Sequence, residues 1–405
     1  MHAHGKSLDI STEPRHLEGL AGRVAVVAVI VAVVGLGGAV ALSRGAEHGM
    51  DRLLETYLVS FAFWLSVALG GLFFVLLQHL TRAGWSVVVR RVAEAIAANV
   101  HLMFLLVVPV LLGMHHLYHW SHADAVAHDP ILAGKAGFLN PTFFTVRVVI
   151  YFLIWSVLAW FFFRTSVKQD ASGDPALTLR MERVSAPGMI LFALSLNFAA
   201  FDLLMSLDPH WFSTIFGVYY FAGSVVVFCA LMPILMVWLQ STGRLRHALT
   251  REHYHDFGKL LFAFTVFWAY IAFSQYMLIW YAHLPEETGW FLKRQTGSWV
   301  WVSLGLLFGH FVVPFLILIS RLFKRRPGLL ALAGAWMIVM HWIDMYWLAG
   351  PEFSPTGPHV GVVDVLVFFG MGGLFFLVWA LRLRRHPLVP ERDPRLAESL
   401  AFENA

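Results

Sequence analysis

Phe201-Asp-Leu-Leu-Met-Ser-Leu-Asp208-Pro209-His-Trp-Phe-Ser213-Thr214-Ile-Phe-Gly-Val-Tyr-Tyr-Phe-Ala-Gly-Ser224 closes one long apolar segment and opens the next. Asp208-Pro209 is expected to break the first helix, because proline removes a donor and pushes its predecessor away from helical geometry. Ser213 or Thr214 is expected to cap the second helix. Asp202, six residues before Asp208, then falls inside the end of a helix at membrane depth. An ionisable group there is costly unless it is paired, hydrated or protonated. Two readings stay open: an aspartate that bonds to a neighbouring helix, and one that handles protons.

Composition sets the frame. The chain is 59% hydrophobic and 13% charged, with a mean hydropathy of +0.69, which places it among membrane proteins. The single cysteine, Cys229, excludes an internal disulfide, an iron–sulfur cluster and a Cys-x-x-Cys-His haem site. The polar, mixed-charge stretch from Met1 to Leu20 is not patterned as a secretory signal.

Ten segments are long enough to span a bilayer, which takes about 20 residues each. They are expected at Val24–Ser43, Leu53–Leu80, Val92–Gly113, Phe143–Phe163, Pro187–Leu207, Ile215–Gln240, Gly258–Ala282, Trp299–Ser320, Leu329–Leu348 and Val362–Leu383. The fold class is therefore all-α and polytopic. Residues 1–22 form an N-terminal segment, 23–386 the ten-helix membrane domain, and 387–405 a polar C-terminal tail. Of the 29 Lys and Arg, 23 fall on the side that holds both termini. By the positive-inside rule that side is cytoplasmic. The same distribution argues for membrane orientation rather than nucleic-acid binding.

Two exits share a pattern. Asp202 lies seven residues before Pro209, and Asp344 seven before Pro351. This fits two similar four-helix units, spans two to five and six to nine, flanked by spans one and ten. Gly70-Gly71, Gly305-x-x-x-Gly309 and Gly370-x-Gly372-Gly373 suit close helix contacts.

Polar residues at membrane depth are Glu94, Asn99, His101, Asn197, Asp202, His310, His341 and Asp344, with Asp364 opening the tenth span. Glu94, His101, Asn197, Asp202, His310, His341 and Asp344 are the candidates for a proton pathway, since histidine titrates near neutrality. The other reading is separate hydrogen bonds between helices. His115, His116, His119 and His122 cluster on the outer side. His115, His119 and His122 would share a helical face if the third helix continued. A partner-docking surface of His115, His116 and His119 is expected there rather than a metal site. His101 with His310 is the least unsuitable haem pair, and the aromatics of the seventh span could line a quinone pocket.

The stretch from Asp202 to Gly223 resembles the signature of polysulfide-reductase-type (NrfD-like) membrane subunits. Leu77–Arg91, Glu252–Leu261, Phe273–Tyr281 and the tail Arg392–Asn404 resemble the ActF-type membrane subunits of alternative complex III. The likeness covers nearly the whole chain. It implies a subunit of a quinol:cytochrome c oxidoreductase in a bacterial cytoplasmic membrane. The implied partners are an iron–sulfur subunit, c-type cytochromes and a paralogous NrfD-like subunit. It also implies a structural and proton-conducting role with no redox cofactor of its own, quinol or quinone entering at the level of the complex. The family's signature aspartate falls on Asp202. In the quinol-binding paralogue a histidine follows a proline of the third helix by about one turn. Here Pro109 is followed by Val110-Leu111-Leu112-Gly113, and the first histidine is His115. A quinone-binding catalytic subunit and a secondary transporter are the alternatives. The parallel repeat argues against the inverted repeats of many transporters.

Reporter fusions after Gly350 and after Pro387 are expected on opposite sides of the membrane, the second on the cytoplasmic side. Signals from the same side would refute the ten-span arrangement.

Overall fold

The computed structural model describes residues 13–404, so much of the expected N-terminal segment 1–22 lies outside the described residues. No strand occurs among the described residues. Among the same residues ten helices are long and apolar enough to cross a membrane, and the chain is an all-α, multi-pass membrane protein. They are α1 (Leu20–Arg44), α2 (Gly49–Leu80), α3 (Val87–Leu112), α4 (Pro141–Ser172), α5 (Pro175–Leu207), α6 (Phe216–Ser241), α7 (Arg251–Ala282), α8 (Trp299–Leu318), α9 (Pro327–Phe353) and α10 (Val362–Arg384).

Contacts follow chain order. Helices α2–α5 close one four-helix ring and α6–α9 a second, joined where α2 packs on α6, while α1 and α10 pair at the side. Nearly all of α2 and most of α6 are buried, as expected of helices that are apolar all round. Small residues set these seams. A Cβ on Gly70 would meet the Ser224 backbone of α6, and one on Gly35 or Gly370 would meet the opposite backbone of the α1–α10 pair. Gly309 packs on Met340, whereas Gly305 faces open space. The Gly305-x-x-x-Gly309 pattern therefore contributes one close contact, not two.

Two expected boundaries shift. The basic stretch from Arg164 to Arg183, between the expected spans Phe143–Phe163 and Pro187–Leu207, is helical except for Gly173-Asp174. Nothing in it breaks a helix until Gly173 turns left-handed at φ 67°, after which Asp174 caps α5 through Ala176 N. Neither Ser213 nor Thr214 caps α6. Its N-cap is Ile215 without a side-chain bond, and the Ser213 hydroxyl donates to Gln275 Oε1 at 3.0 Å.

The basic ends of the helices gather on one face, together with both ends of the described chain. The tail, read as a polar arm, is packed there. Leu388 N donates to Arg15 O at 2.7 Å and Glu391 N to Asp170 Oδ1 at 2.9 Å. Ser399 bonds to Val88 N and to His253 Nε2. Arg90 pairs with Asp393 and Glu94, and Arg91 with Glu94 and Asp170. The tail thus ties α3 and α4 of one ring to α7 of the other.

Asp393→Ala strands part of the buried Arg90 charge. Glu94 remains as a partner, so a loss of about 3 kcal/mol is expected, the lower end for breaking a buried pair. Exposed Glu398→Ala should change stability by less than about 0.5 kcal/mol. Denaturant midpoints in mild detergent check both.

Candidate functional site

The two aspartates singled out by their sequence pattern meet different surroundings. Asp202 is buried in an ion pair. Arg147 of α4 donates from Nη2 to Oδ1 at 2.7 Å and from Nε to Oδ2 at 2.9 Å, and Tyr151 donates to Oδ2 at 2.8 Å. The guanidinium lies 3.7 Å from the Phe138 ring centre and 4.3 Å from that of Phe143, and its Nη1 donates to Phe138 O. The regular α-helix of α5 ends at Leu203, followed by a tight turn over Met205–Leu207, earlier than the break expected at Asp208. The connector after α3 makes this end possible. Tyr118 donates to Leu203 O at 3.0 Å and Trp120 Nε1 to Ser206 O at 3.1 Å, satisfying carbonyls that a helix end leaves free.

Asp344 of α9 is equally buried but has no Lys or Arg partner among the described residues. Its Oδ1 accepts from the Tyr219 hydroxyl of α6, and its Oδ2 from Trp268 Nε1 of α7 at 3.1 Å. His341 places Nδ1 3.8 Å from Oδ2. The Ser66 hydroxyl of α2 donates to Phe63 O at 2.6 Å, so His341 Nε2, 2.9 Å away, must be the donor to Ser66. That tautomer turns the lone pair of a neutral His341 Nδ1 toward the carboxyl. One proton between Asp344 and His341 turns this repulsion into attraction. Gly223 of α6 admits the His341 ring, since a Cβ there would touch it.

His310 completes the group. Its ring lies 4.0 Å from that of Trp268 and 6.4 Å from that of His341, and neither of its buried nitrogens has a hydrogen-bond partner. It sits in a π-helical turn, Leu306–Val312, directly before Pro314. Pro314 lacks the N–H that the His310 carbonyl would accept in an α-helix, and such wide turns recur at functional sites. One nitrogen from each histidine and an Asp344 oxygen lie within 4.8 Å of one another. Imidazole and carboxylate are donors for a Zn²⁺-class ion, so these three residues, rather than the outer histidines, are the ones that could hold a metal.

Arg294, the buried arginine of the second unit, is engaged elsewhere, with Glu352 3.5 Å from its Nη1. It lies on the segment before α8, stacked 3.4 Å from the Trp290 ring. α9 runs through Pro351, which cannot donate to Trp347 O. Arg294 Nε donates there at 3.2 Å, and its Nη2 donates to Leu348 O at 2.7 Å. Arg147 binds its aspartate. Arg294 binds the helix backbone one turn beyond the other aspartate.

The remaining candidates stand apart. Asn197 bonds to Ala193 O of its own helix and packs on Gly217. His101, half-buried, bonds to Ala98 O. Glu94 belongs to the ion-pair cluster of the basic face. Asp202, Asn197, His101 and Glu94 therefore make no hydrogen bond to Asp344, His341 or His310. On the face opposite the basic one, a separate helical turn over Met114–Leu117 follows α3 and Tyr118 is extended, so His115, His119 and His122 do not share a helical face. His115, His116 and His119 are exposed, His116 pairing with Asp51. Nearby, His210 bonds to Asp129 and holds that carboxyl below its ordinary range.

A cavity of about 630 Å³ lies between α7 and α8. Tyr219 and Trp268 line it, Arg294 and Ser303 add polar groups, and exposed Phe273 and Leu307 mark its lipid side. Ser66 and Tyr219 were not singled out from sequence, a serine and an aromatic carrying no signal in so aromatic a chain, whereas Trp268 is one of the seventh-span aromatics read as possible lining of a quinone pocket. No family model matches the chain, and no curated protein matches it.

Arg147→Ala leaves Asp202 buried and unpaired and should cost about 3–5 kcal/mol. Asp344→Asn should cost less than about 1 kcal/mol, because the Tyr219 hydroxyl can accept as well as donate. Thermal and denaturant unfolding of the two variants separates a carboxylate held by charge from a carboxyl held by hydrogen bonds.

Proposed function

We propose that this chain is an integral subunit of a quinol-oxidising respiratory complex of the alternative complex III type, with a structural and proton-conducting role. The single observation that carries the proton role is the buried Asp344–His341–His310 group, which has a carboxyl, two imidazoles, several hydrogen-bonding groups and no cation. A fixed structural ion pair needs a countercharge, as Asp202 has. A group that trades protons needs acceptors whose charge is not already neutralised. The family resemblance supplies the context. The basic face is then cytoplasmic in a bacterial membrane. The iron–sulfur, cytochrome and paralogous partners meet the opposite face, where His115, His116 and His119 are exposed. Electrons stay in those partners. Proton transfer at Asp344 conserves charge: the proton leaving its carboxyl passes to His341 Nδ1, and His341 returns it or passes it through a bridging water to His310, whose ring centre lies 6.4 Å from its own.

The second reading is a quinone site of the chain's own. The cavity between α7 and α8 favours it, being open toward lipid and lined by both donors to Asp344. Under this reading Ala272→Trp abolishes quinol oxidation. Under the first, it does not.

In the assembled complex, Asp344→Asn is expected to keep quinol oxidation within about twofold, a change worth well under 1 kcal/mol. It should also lower the proton-to-electron ratio measured in reconstituted vesicles. An unchanged ratio would leave Asp344 as a link between helices. Purification without multihaem cytochromes would remove the respiratory assignment itself.

A further inference from the structure

A second cavity, of about 620 Å³, lies on the other side of the molecule, between the α1–α10 pair and α6, with Phe63 and Trp64 of α2 at its inner wall. It starts at Leu20 and Arg23, near the basic face, and extends to Val31 and Phe368. On α1 this covers twelve residues, a rise of about 16 Å at 1.5 Å per residue. One leaflet of hydrocarbon is about 15 Å thick. The groove therefore has the depth of a single acyl chain, and apart from Arg23 and the indole N–H groups its named walls are apolar.

Its mouth is not apolar. Arg23 is exposed there and has no ion-pair or hydrogen-bond partner among the described residues. α1 begins beside it after Gly19 at φ 69°, its first two N–H groups donating to Glu18 O and Leu17 O. Trp379 lines the groove close to the mouth, buried to 1% exposure, with an indole N–H that has no acceptor. Trp238 stands beside it, ring centres 6.2 Å apart. Membrane depth offers few acceptors other than a lipid ester carbonyl. A cation at the headgroup level, an indole donor just below it and an apolar slot one leaflet deep match, in that order, the phosphate, ester and chain of a phospholipid.

We propose that this groove is a phospholipid site, in which one acyl chain of an anionic lipid lies between α1, α6 and α10 with its phosphate on Arg23. The occupied groove fills the gap beside the two small-residue helices. It also places the end of the chain against Phe63, whose ring lies 5.5 Å from that of His341. The site is independent of the proton-conducting reading and stands or falls separately.

Native mass spectrometry of the full chain in mild detergent tests it, with an equimolar mixture of phosphatidylglycerol and phosphatidylcholine as the probe. One retained lipid is expected, phosphatidylglycerol being favoured about fivefold, the effect of one basic residue at an anionic surface. Arg23→Gln should bring the two lipids to near-equal retention without lowering the total. Ile234→Trp, or Val31→Trp if the first variant does not fold, should lose the retained lipid. Equal retention of the two lipids by the unaltered chain overturns the proposal, as does a preference unmoved by Arg23→Gln. Retention by the groove-filled variants overturns it as well. A lipid-free dimer would overturn it too, showing instead that a second copy covers the groove.

Discussion

A carboxyl inside an apolar bundle must be matched by a cation, by donors or by a proton, and this chain meets the requirement in two ways. At Asp202 a bidentate guanidinium supplies the charge and Tyr151 a further donor. At Asp344 two neutral donors and a facing histidine stand where the cation would be. The first arrangement fixes a charge in place. The second leaves the charge state open, because every partner of the carboxyl is neutral or can become so. This asymmetry separates a structural aspartate from one suited to proton chemistry.

The asymmetry comes from backbone chemistry as much as from side chains. The α5 helix ends next to its aspartate, and the connector carrying Tyr118 and Trp120 satisfies the freed carbonyls. Arg147 is then free to face the carboxyl. The α9 helix instead runs through Pro351, and Arg294 binds the freed Trp347 carbonyl, Leu348 O and Glu352 rather than Asp344. In α8, Pro314 follows a wide turn that carries His310 into the bundle. Two prolines thus mark the second unit, one freeing a carbonyl that Arg294 binds and one accompanying the turn that delivers an imidazole.

Much of the architecture was legible from the residues. Ten apolar segments announce ten spans, and the recurrence of an aspartate seven residues before a proline points to the two four-helix units that pack through α2 and α6. The site was legible only in part. His341 and Asp344 share a helix, and a spacing of three residues places them together. His310 lies on another helix, and Ser66, Tyr219 and Trp268 on three more, so their meeting depends on packing. Polarity at membrane depth was what linked Asp202, Glu94, His101 and Asn197 to this group, and there the structure shows separate neighbourhoods. The tail was legible as polar but not as packed, because its contacts with Arg90, Asp170 and His253 join residues far apart in the chain.

Composition and periodicity by themselves determined that this protein spans a membrane, how many times, and where ionisable groups are buried, because hydrophobic length is a local property. Which buried carboxyl holds a countercharge was decided by tertiary structure alone. Arg147 and Arg294 are the same residue type, one near the start of α4 and the other just before α8. Only the folded backbone shows that one binds a buried aspartate at membrane depth and the other the carbonyls of Trp347 and Leu348 with Glu352 beside them.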